Sequence, residues 1–190
     1  EKTKNLAKKA FGNSDIFLEK FIKNARHIEI QIFGFGEKKA VHFYERDCSI
    51  QRRFQKIIEE SPAPKIEPTI INKMAESAVS FATNQKYEGA GTIEFIYDID
   101  EKKFYFLEMN TRIQVEHPVT ESITNSDLVE MQIKFALDID LDLTEQNKIN
   151  RTGHAIECRL YAEDPSKNFL PSPGKISKLK IPNVGLTNIR

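Results

Sequence analysis

Five polar residues alternate with apolar ones near the middle of the chain, and their types suit the binding of anions and metal ions. They are Glu108, Asn110, Arg112, Gln114 and Glu116. In an extended chain, alternate side chains point to the same side, so all five would line one surface. The arginine suits a bidentate oxyanion, and an ionised glutamate beside that anion is best placed to act as a base. The alternative is a polar outward face of an edge strand, but the mixture of acids, amides and a base is unusually varied for that. His117-Pro118 is predicted to end the strand.

The segments 92–98 and 103–110 predict a hairpin centred on Glu101. In this register, Asp98 lies opposite Phe104 and Ile96 lies opposite Phe106. The next pair on the same face is Glu94 opposite Glu108. Two carboxylates facing each other repel unless a cation lies between them, and Mg²⁺ prefers such oxygen ligands. Asn110 points the same way and could add a ligand. The alternative is a pair of solvated glutamates, and a register slip of one residue would remove the pairing.

Helices and strands alternate around this hairpin, which predicts an α+β fold with a mainly antiparallel sheet. Helices are predicted at 3–11 with Gly12 as its stop, at 68–84, and at 125–137 with Asn125 or Ser126 as its cap. Strands are predicted at 16–22, 26–34, 38–47 and 154–164, with a turn at 88–91 and a loop at 169–176. In 26–34, three isoleucines take one face, and the other face carries His27, Glu29 and Gln31.

Composition restricts the classes of function. The 190 residues carry 28 basic and 28 acidic side chains, so no net field recruits nucleic acid or an acidic membrane. No apolar run is long enough to cross a bilayer. The two cysteines, Cys48 and Cys158, form neither a disulfide framework nor a metal site, which favours a reducing compartment. The chain opens on Glu1 without Met, so we expect a piece of a longer protein.

Three local motifs have simpler explanations than function. The basic run 51–56 around Phe54 could contact nucleic acid, but a solvated basic edge is favoured at zero net charge. Cys48 is favoured as a structural thiol over a reactive one. The alternating aspartates of 138–142 lack the glycine and terminal glutamate of a Ca²⁺ loop, so a solvated connector is favoured.

Several long segments together resemble the biotin carboxylase family of ATP-grasp enzymes. The resemblance extends in order from about Phe17 to Ile176 and rests on EMNTRIQVEHPVTE with ERDCSIQRRFQK, IEESPAP, GAGTIEF, HAIECRLYAEDP and FLPSPGKI. It implies a reaction in which ATP and bicarbonate give carboxyphosphate, which releases CO₂ beside biotin, and biotin is carboxylated at its ureido nitrogen. The implied cofactors are ATP, Mg²⁺ or Mn²⁺, and biotin.

The resemblance also implies roles for residues of this chain. Glu116 matches the base that deprotonates bicarbonate, and Lys56 matches the cation near bicarbonate and the transferred phosphoryl group. Arg159 matches the residue that stabilises the biotin enolate. The implied bicarbonate site is formed by Arg112, Gln114 and the backbone of Val115.

For ATP, the resemblance implies two groups of residues. Glu19, Lys20 and Ile22 match the segment that holds adenine, and His27 and Gln51 match residues near the ribose and phosphates. The implied metal ligands are Glu94 and Glu108, with Asn110 assisting, and the metal ion they hold would bind the ATP phosphates.

The chain departs from the family pattern in several places. The glycine-rich phosphate lid and two ATP-binding lysines found upstream in the family have no counterpart here, and Phe54 stands where the family usually has a polar residue. Asn72-Lys73-Met74 is not a carrier motif, so biotin must come from another domain or chain. We therefore expect residues 1–150 to be the second half of an ATP-grasp unit and 151–190 the start of the biotin carboxylase C-terminal subdomain. Such a segment is not expected to be catalytically competent by itself.

The sequence therefore predicts the biotin-carboxylating component of a biotin-dependent carboxylase, with acetyl-CoA or propionyl-CoA carboxylase as the favoured context. A urea or pyruvate carboxylase component, a non-catalytic nucleotide-binding fragment and a carbamoyl-phosphate type ligase are the alternatives. The expected partners are a biotin carboxyl carrier, a carboxyltransferase component and further copies of the same enzyme. The expected location is the cytoplasm, or the mitochondrial matrix in a eukaryote.

Overall fold

A computed structural model describes residues 1–37 and 39–180, and one antiparallel sheet dominates it. Its strands are β1 (Ala25–Phe35), β2 (Ala40–Arg52), β3 (Gln55–Ser61), β4 (Glu88–Asp98), β5 (Lys103–Asn110) and β6 (Ala155–Cys158). They lie in the order β5-β4-β1-β2-β3-β6, and each neighbouring pair is antiparallel. β7 (Glu163–Asp164) and β8 (Leu170–Pro171) form a separate two-stranded sheet. The predicted α+β class with a mainly antiparallel sheet is confirmed.

Four α-helices accompany the sheet in the described ranges. They are α1 (Lys2–Phe11), α2 (Pro68–Asn84), α3 (His117–Thr124) and α4 (Leu128–Ala136), with short 3₁₀ turns at Gln146–Lys148 and Pro165–Lys167. α1 and α2 agree with prediction, and Gly12 ends α1 in the left-handed region with φ of 75°. No helix among the described residues is long and apolar enough to cross a bilayer.

The predicted start of the helix at 125–137 was wrong. α4 begins at Leu128, and the side chain of Asp127 caps it by accepting a hydrogen bond from the Glu130 backbone N–H at 2.8 Å. Asn125 instead ends α3, with a left-handed φ of 49°. The predicted cap was misplaced because α3 was not foreseen, and one asparagine cannot both end α3 and begin α4.

The two faces of the sheet are covered differently. Ile28, Ile30 and Ile32 of β1 face α2, whose Met74 and Ala78 are completely buried in the same core. On the other face, Phe33 packs with Leu128 and Met131 of α4 and with Phe43, Val41 and Ala90. The same second face carries His27, Glu29 and Gln31 at the opposite end of β1. The predicted alternation is confirmed, and Glu29 and Gln31 prove to be fully buried.

Residues 16–22 do not form the predicted strand. They have no regular secondary structure, and the side chains of Phe17, Leu18 and Phe21 are exposed. A strand needs a neighbour to satisfy its backbone hydrogen bonds, and no described strand pairs with this segment. The apolar run alone was therefore not enough to predict a strand at 16–22.

The predicted turn at 88–91 is instead the beginning of β4. Gly89, Ala90 and Gly91 pair in register with Gly34, Phe33 and Ile32 of β1. These small residues leave space for Tyr87, because a Cβ on Gly91 would lie 2.9 Å from the Tyr87 ring. Glycine in a strand often marks such a close approach, and here its turn preference was misleading.

Other strand boundaries differ from the predictions. β2 continues to Arg52, and an unpredicted two-residue turn at Arg53 and Phe54, with φ of 53° and 64°, leads into β3. The first residue of the predicted strand 38–47, at position 38, lies outside the described residues. The predicted strand 154–164 is interrupted, because only 155–158 and 163–164 are extended and paired. The predicted loop 169–176 contains the short β8.

Candidate active site

A polar cleft of about 500 Å³ opens on the sheet face opposite α2. Residues of β1, β2, β3, β4 and β5, the segment 112–116 and residues after β6 all contribute to it. Its lining residues are His27, Gln51, Phe54, Gln55, Lys56, Glu94, Leu107, Glu108, Asn110, Arg112, Gln114, Val115, Glu116, Arg159 and Tyr161. The cleft therefore gathers all five polar residues of segment 108–116 with both predicted cationic residues, Lys56 and Arg159.

Lys56 lies at the centre of the polar contacts in the cleft. Its ammonium donates hydrogen bonds to Glu29 Oε2 at 2.5 Å, Glu94 Oε1 at 2.8 Å and Glu116 Oε1 at 2.7 Å. These acceptors come from β1, from β4 and from the residue preceding α3. An ammonium has three N–H groups, so all its donors are occupied by carboxylates.

Mutual attraction keeps these groups charged despite their burial. Burial alone would lower the pKa of Lys56, but the charges of Glu29 and Glu116 raise it above its ordinary value. Burial alone would raise the pKa of Glu94, yet hydrogen bonding by His27 and Lys56 lowers it. The pKa of Glu116 is also lowered, because the charge and hydrogen bond of Lys56 outweigh burial. The cleft therefore holds carboxylates and an ammonium at neutral pH.

The predicted metal ligands lie together at the edge of the sheet. Glu94 and Glu108 are opposite each other in the β4–β5 pair, and the Asn110 amide nitrogen donates to Oε1 of both, at 3.0 Å and 3.2 Å. The two carboxylate oxygens therefore converge on one point. This donor set fits Mg²⁺, which favours carboxylate oxygens completed by phosphate oxygens.

Glu94 pairs with Glu108 as predicted, but the strands of the hairpin have a different register near the turn. Asp98 pairs with Lys103 and Phe95 with Phe106, one residue away from the predicted alignment. A bulge then leaves Leu107 without a partner, and Glu94 pairs with Glu108. The register predicted near the turn was wrong, while the pairing of the two carboxylates is confirmed.

Two other groups of possible metal ligands are already neutralised by Lys56. The ligand atoms of His27, Glu29 and Glu94 lie within 4.8 Å of one another, as do those of Glu29, Cys48 and Glu116. Each group includes two of the carboxylates that bind the Lys56 ammonium. Glu94 is bound by Lys56 as well, but Glu108 is not among the three carboxylates that Lys56 binds, so the Glu94–Glu108 pair keeps one carboxylate that this ammonium does not neutralise.

His27 and Gln51 border the same cleft. His27 Nε2 lies 2.7 Å from Glu94 Oε2, and the other ring nitrogen is 2.8 Å from Gln51 Nε2. Gln51 also donates to the Cys48 carbonyl at 2.7 Å. Cys48 is buried, and burial raises the pKa of its thiol well above the ordinary value, which is consistent with the structural role predicted for it.

The segment 111–116 is not the extended strand that was predicted. β5 ends at Asn110, and Glu116 precedes α3, with Pro118 in the first turn of that helix. β5 is the edge strand of the sheet, so no neighbouring strand guides the chain beyond it. Proline tolerates the first helical turn because it needs no intrahelical donor there, so His117-Pro118 begins a helix.

The irregular segment still brings its polar groups into the cleft. Arg112 is exposed, and its guanidinium donates to the Asn110 side-chain oxygen at 3.4 Å. Gln114 is buried and donates to Glu94 Oε1 at 2.9 Å. Val115 is 60% exposed and lines the cleft. The specific chemical roles of these residues stay predictions.

Arg159 follows β6 and approaches two carboxyl groups. It donates to Glu116 Oε2 at 2.7 Å, and its Nη2 lies 3.5 Å from Glu59 Oε1. Glu116 is therefore bound by Lys56 through one oxygen and by Arg159 through the other. The two cationic residues fix the orientation of this carboxylate toward the cleft.

Arg46 and Glu29 support the cleft, and neither was predicted as a site residue. Arg46 is fully buried and donates to Glu29 at 2.5 Å, to Gln31 and Thr120 at 2.8 Å, to Gln114 at 3.2 Å and to Thr92 at 3.3 Å. The alternation of β1 already placed Glu29 on the polar face. No local pattern, however, could indicate that an arginine from β2 would be buried against it.

The predicted adenine segment lies outside the lining of the cleft. Glu19, Lys20 and Ile22 are absent from its wall, and the Lys20 ammonium donates to Glu101 at 2.5 Å. Lys20 also lies 5.6 Å from the centre of the Tyr105 ring.

The basic turn beside the cleft makes contacts within the chain. Arg52 pairs with Glu163 and stacks at 4.1 Å on the Phe169 ring, and Arg53 donates to Asn168. Two of the basic residues in the predicted basic edge 51–56 therefore contact other side chains of the chain.

Known proteins resemble this chain over nearly all of its length. The family described as "Carbamoyl-phosphate synthase L chain, ATP binding domain" matches residues 1–144. Biotin carboxylase 1 of Bacillus subtilis is 52% identical over 184 residues, which are 97% of this chain and 40% of the relative. The mitochondrial methylcrotonoyl-CoA carboxylase subunit alpha of Mus musculus is 50% identical over 98% of this chain and 26% of the relative. The chain thus spans less than half the length of these proteins.

A solved structure gives the same result for the fold. The biotin carboxylase domain dimer of 2-oxoglutarate carboxylase from Hydrogenobacter thermophilus, solved with MgADP, ADP and bicarbonate, has a TM-score of 0.84 and 47% identity. The match covers 94% of this chain and 39% of that chain. The chain therefore belongs to the family of the carbamoyl-phosphate synthase L chain ATP-binding domain, as a segment of the ATP-grasp biotin carboxylase type.

Proposed function

We propose that this chain supplies the bicarbonate site and part of the ATP phosphate site of an enzyme that carboxylates biotin. The observation that carries the proposal is the Glu116 carboxylate, bound at 2.7 Å by both Lys56 and Arg159 inside the cleft. Arg112 and Gln114 line the same wall. The bicarbonate found in the complex of the related 2-oxoglutarate carboxylase domain supports this choice of anion.

Glu116 is proposed to be the base. Its lowered pKa keeps it ionised at neutral pH, so it can accept a proton. A bicarbonate ion held by Arg112 and Gln114 would add negative charge, and this weakens the preference of Glu116 for the ionised state. Proton transfer to Glu116 would then leave an oxygen of bicarbonate free to attack the terminal phosphorus of ATP. ADP leaves, and carboxyphosphate is formed.

Lys56 is proposed to neutralise the transferred phosphoryl group. Its three carboxylate contacts hold it at the point where β1, β4 and segment 112–116 meet. Phosphoryl transfer depends mainly on positioning and charge neutralisation, which a fixed ammonium supplies. Mg²⁺ held by Glu94 and Glu108, with Asn110, would neutralise the phosphate oxygens when bound. Mn²⁺ would suit the same oxygen ligands.

Arg159 is proposed to act in the second half of the reaction. Carboxyphosphate breaks down to CO₂ and phosphate, and the phosphate takes the proton of a ureido N–H of biotin. The biotin carbonyl oxygen becomes negative as that proton leaves, and the ureido nitrogen then forms its bond to CO₂. The Arg159 guanidinium lines the cleft, which supports its proposed role as the cation that stabilises that oxygen. Biotin itself would arrive on a carrier from another domain or chain.

The acceptor of the carboxyl group is a separate proposal. An acyl-CoA is proposed, and the similarity to methylcrotonoyl-CoA carboxylase supports it. Urea and pyruvate are the alternatives, since a urea amidolyase and a pyruvate carboxylase subunit are about equally similar. A carboxyltransferase component would bind the acceptor, and the complete enzyme is proposed to be oligomeric. Residues 151–190 are proposed to begin the C-terminal subdomain. Carboxylation assays of the complete enzyme with an acyl-CoA, urea and pyruvate would separate the acceptors.

The base is tested by Glu116→Gln in the complete enzyme. Bicarbonate-dependent ATP cleavage should fall by at least about a hundredfold, since general-base catalysis contributes that much or more. Binding of Mg²⁺-ATP should stay within about threefold, because Glu116 is not a proposed ATP ligand. Phosphate release and nucleotide titration measure the two quantities. Unchanged ATP cleavage would refute the role of Glu116.

A further inference from the structure

Glu59 of β3 is buried beside the cleft without the contacts that a buried carboxyl group normally has. Its side chain is 0% exposed, and among residues 1–37 and 39–180 neither of its oxygens has a hydrogen-bond partner. Burying such a group is unfavourable, because no hydrogen bond replaces its contacts with water. Unsatisfied buried groups are rare in native proteins, so this position suggests a functional reason.

The nearest cationic group is the Arg159 guanidinium. Its Nη2 lies 3.5 Å from Glu59 Oε1 and 2.7 Å from Glu116 Oε2, so it is held between two carboxyl groups. The buried Nε of Arg159 also has no partner in the described part of the chain. The Nη2 of Arg159 is thus hydrogen-bonded to Glu116 and forms a longer ion pair with Glu59.

The charge of Glu59 depends on its neighbours. Burial raises the pKa of Glu59 to about 7; Arg159 opposes this rise, and the charges of Glu116, Glu157 and Glu29 add to it. Glu157 lies directly opposite on β6, and its pKa is raised by burial and by Glu116. Neutralising Glu116 would therefore favour the ionised form of Glu59.

We propose that Glu59 is a positioning residue for Arg159, and that it keeps the guanidinium in the cleft when Glu116 takes up the bicarbonate proton. The proposal rests on the proposed role of Glu116 as the base. Once Glu116 is protonated, its hydrogen bond with Arg159 loses one charge and weakens. Glu59 is then the nearby anion that still holds Arg159. Glu59 forms no covalent bond and transfers no proton in this step.

The test is Glu59→Gln in the complete enzyme, with two rates measured. One is bicarbonate-dependent ATP cleavage without biotin, and the other is carboxylation of biotin. Carboxylation should fall about tenfold in kcat, the loss typical of one charge-assisted contact, while ATP cleavage stays within about twofold. Glu60→Gln is the matched control, because Glu60 points to the opposite side of β3 and contacts His154 at 3.2 Å. It should change neither rate.

A double variant tests whether Glu59 acts through Arg159. In an Arg159→Lys background, Glu59→Gln should cause little further loss of carboxylation, because the contact it removes is already altered. Fully additive losses would overturn the proposal, as would equal losses in the two rates or no loss in either. Glu59→Asp keeps the charge and should recover most of the carboxylation rate. An Asp variant as slow as the Gln variant would also contradict the proposal.

Folding can be separated from positioning by its dependence on pH. The folded-state pKa of Glu59 is raised, so its stabilising contribution is complete below the ordinary carboxyl pKa and is lost as pH rises through about 7. The neutral amide introduced by Glu59→Gln carries no such penalty. At about pH 8, the Glu59→Gln variant should therefore unfold at a temperature equal to or above that of the unchanged enzyme. If the unchanged enzyme does not carboxylate biotin, the proposed function fails independently of Glu59.

Discussion

Lys56 shows how single residues define the chemistry of the cleft. Its three donors are all used by Glu29, Glu94 and Glu116, from three different parts of the chain. An anion that approaches this ammonium must therefore take over one of these contacts. Glu94 is the natural one to release it, because Glu94 also accepts from Gln114 and Asn110 and is a proposed ligand of the metal.

The metal site can be tested at Glu108. Glu108→Gln should weaken the binding of Mg²⁺-ATP to the complete enzyme about tenfold, because an amide replaces a charged oxygen ligand. Binding of ADP without metal should change by less than about twofold. Titration calorimetry measures both affinities. Glu130→Gln, at an exposed position of α4, is the control, and equal losses for the two ligands would contradict the shared metal site.

At the scale of elements, close approaches between backbones decide how the strands align. The bulge at Leu107 shifts the β4–β5 register by one residue, so that Glu94 and Glu108 face each other. At the far end of β1, Gly34 allows the carbonyl of Tyr87 to approach the strand. The Gly36 N–H also donates to that carbonyl, at 3.0 Å. Small residues here permit contacts that any side chain would prevent.

Gly34→Ala should therefore destabilise the protein. A Cβ at this position would lie 2.0 Å from the Tyr87 carbonyl oxygen, and backbone atoms cannot move aside as a flexible side chain can. We expect the free energy of unfolding to fall by about 2–3 kcal/mol, as for other overpacked sites. Urea denaturation measures the change. Gly174→Ala is the control, because its Cβ would meet no atom within 4 Å, and equal effects of the two substitutions would contradict this explanation.

At the scale of the whole molecule, Arg46 joins the sheet to the cleft. It lies in β2 and donates to Glu29 and Gln31 of β1, Thr92 of β4, Gln114 of the cleft wall and Thr120 of α3. Burial would lower the pKa of Arg46, but the charge of Glu29 leads the effects that raise it. The network therefore keeps the charge of Arg46 in the interior. It also fixes Glu29, which contacts Lys56, and Gln114, which contacts Glu94.

Removing this arginine should affect both stability and the site. Arg46→Met would leave Glu29 with one fewer cationic partner in a fully buried position. We expect a loss of about 3–5 kcal/mol in the free energy of unfolding, the range for breaking a buried ion pair. Arg53→Met is the control, with an expected loss below about 1 kcal/mol because Arg53 is exposed. Chemical denaturation compares them, and similar losses would contradict the importance of the buried network.

Local patterns were sufficient for much of the fold. The alternation of Ile28, Ile30 and Ile32 identified β1, helical spacing identified α2, and the hairpin of β4 and β5 was recognised from two apolar runs. These features depend on neighbours close in sequence, so spacing alone reveals them. The types of residue in 108–116 indicated anion and metal chemistry in the same way. Only the family resemblance identified the anion as bicarbonate.

The tertiary structure decided which polar residues are buried and what they contact. Alternation could place Glu29 on a polar face, but only long-range packing shows that it meets Arg46 and Lys56 in the interior. It also shows that the chain leaves the sheet at Asn110 and that α3 begins at His117. Within the described ranges, Glu59 lies beside Arg159 without a hydrogen bond to its carboxyl oxygens. Burial and pairing depend on residues far apart in sequence. The sequence by itself therefore determined most of the polar residue types that line the cleft, and the tertiary structure determined which of them are buried and what they contact.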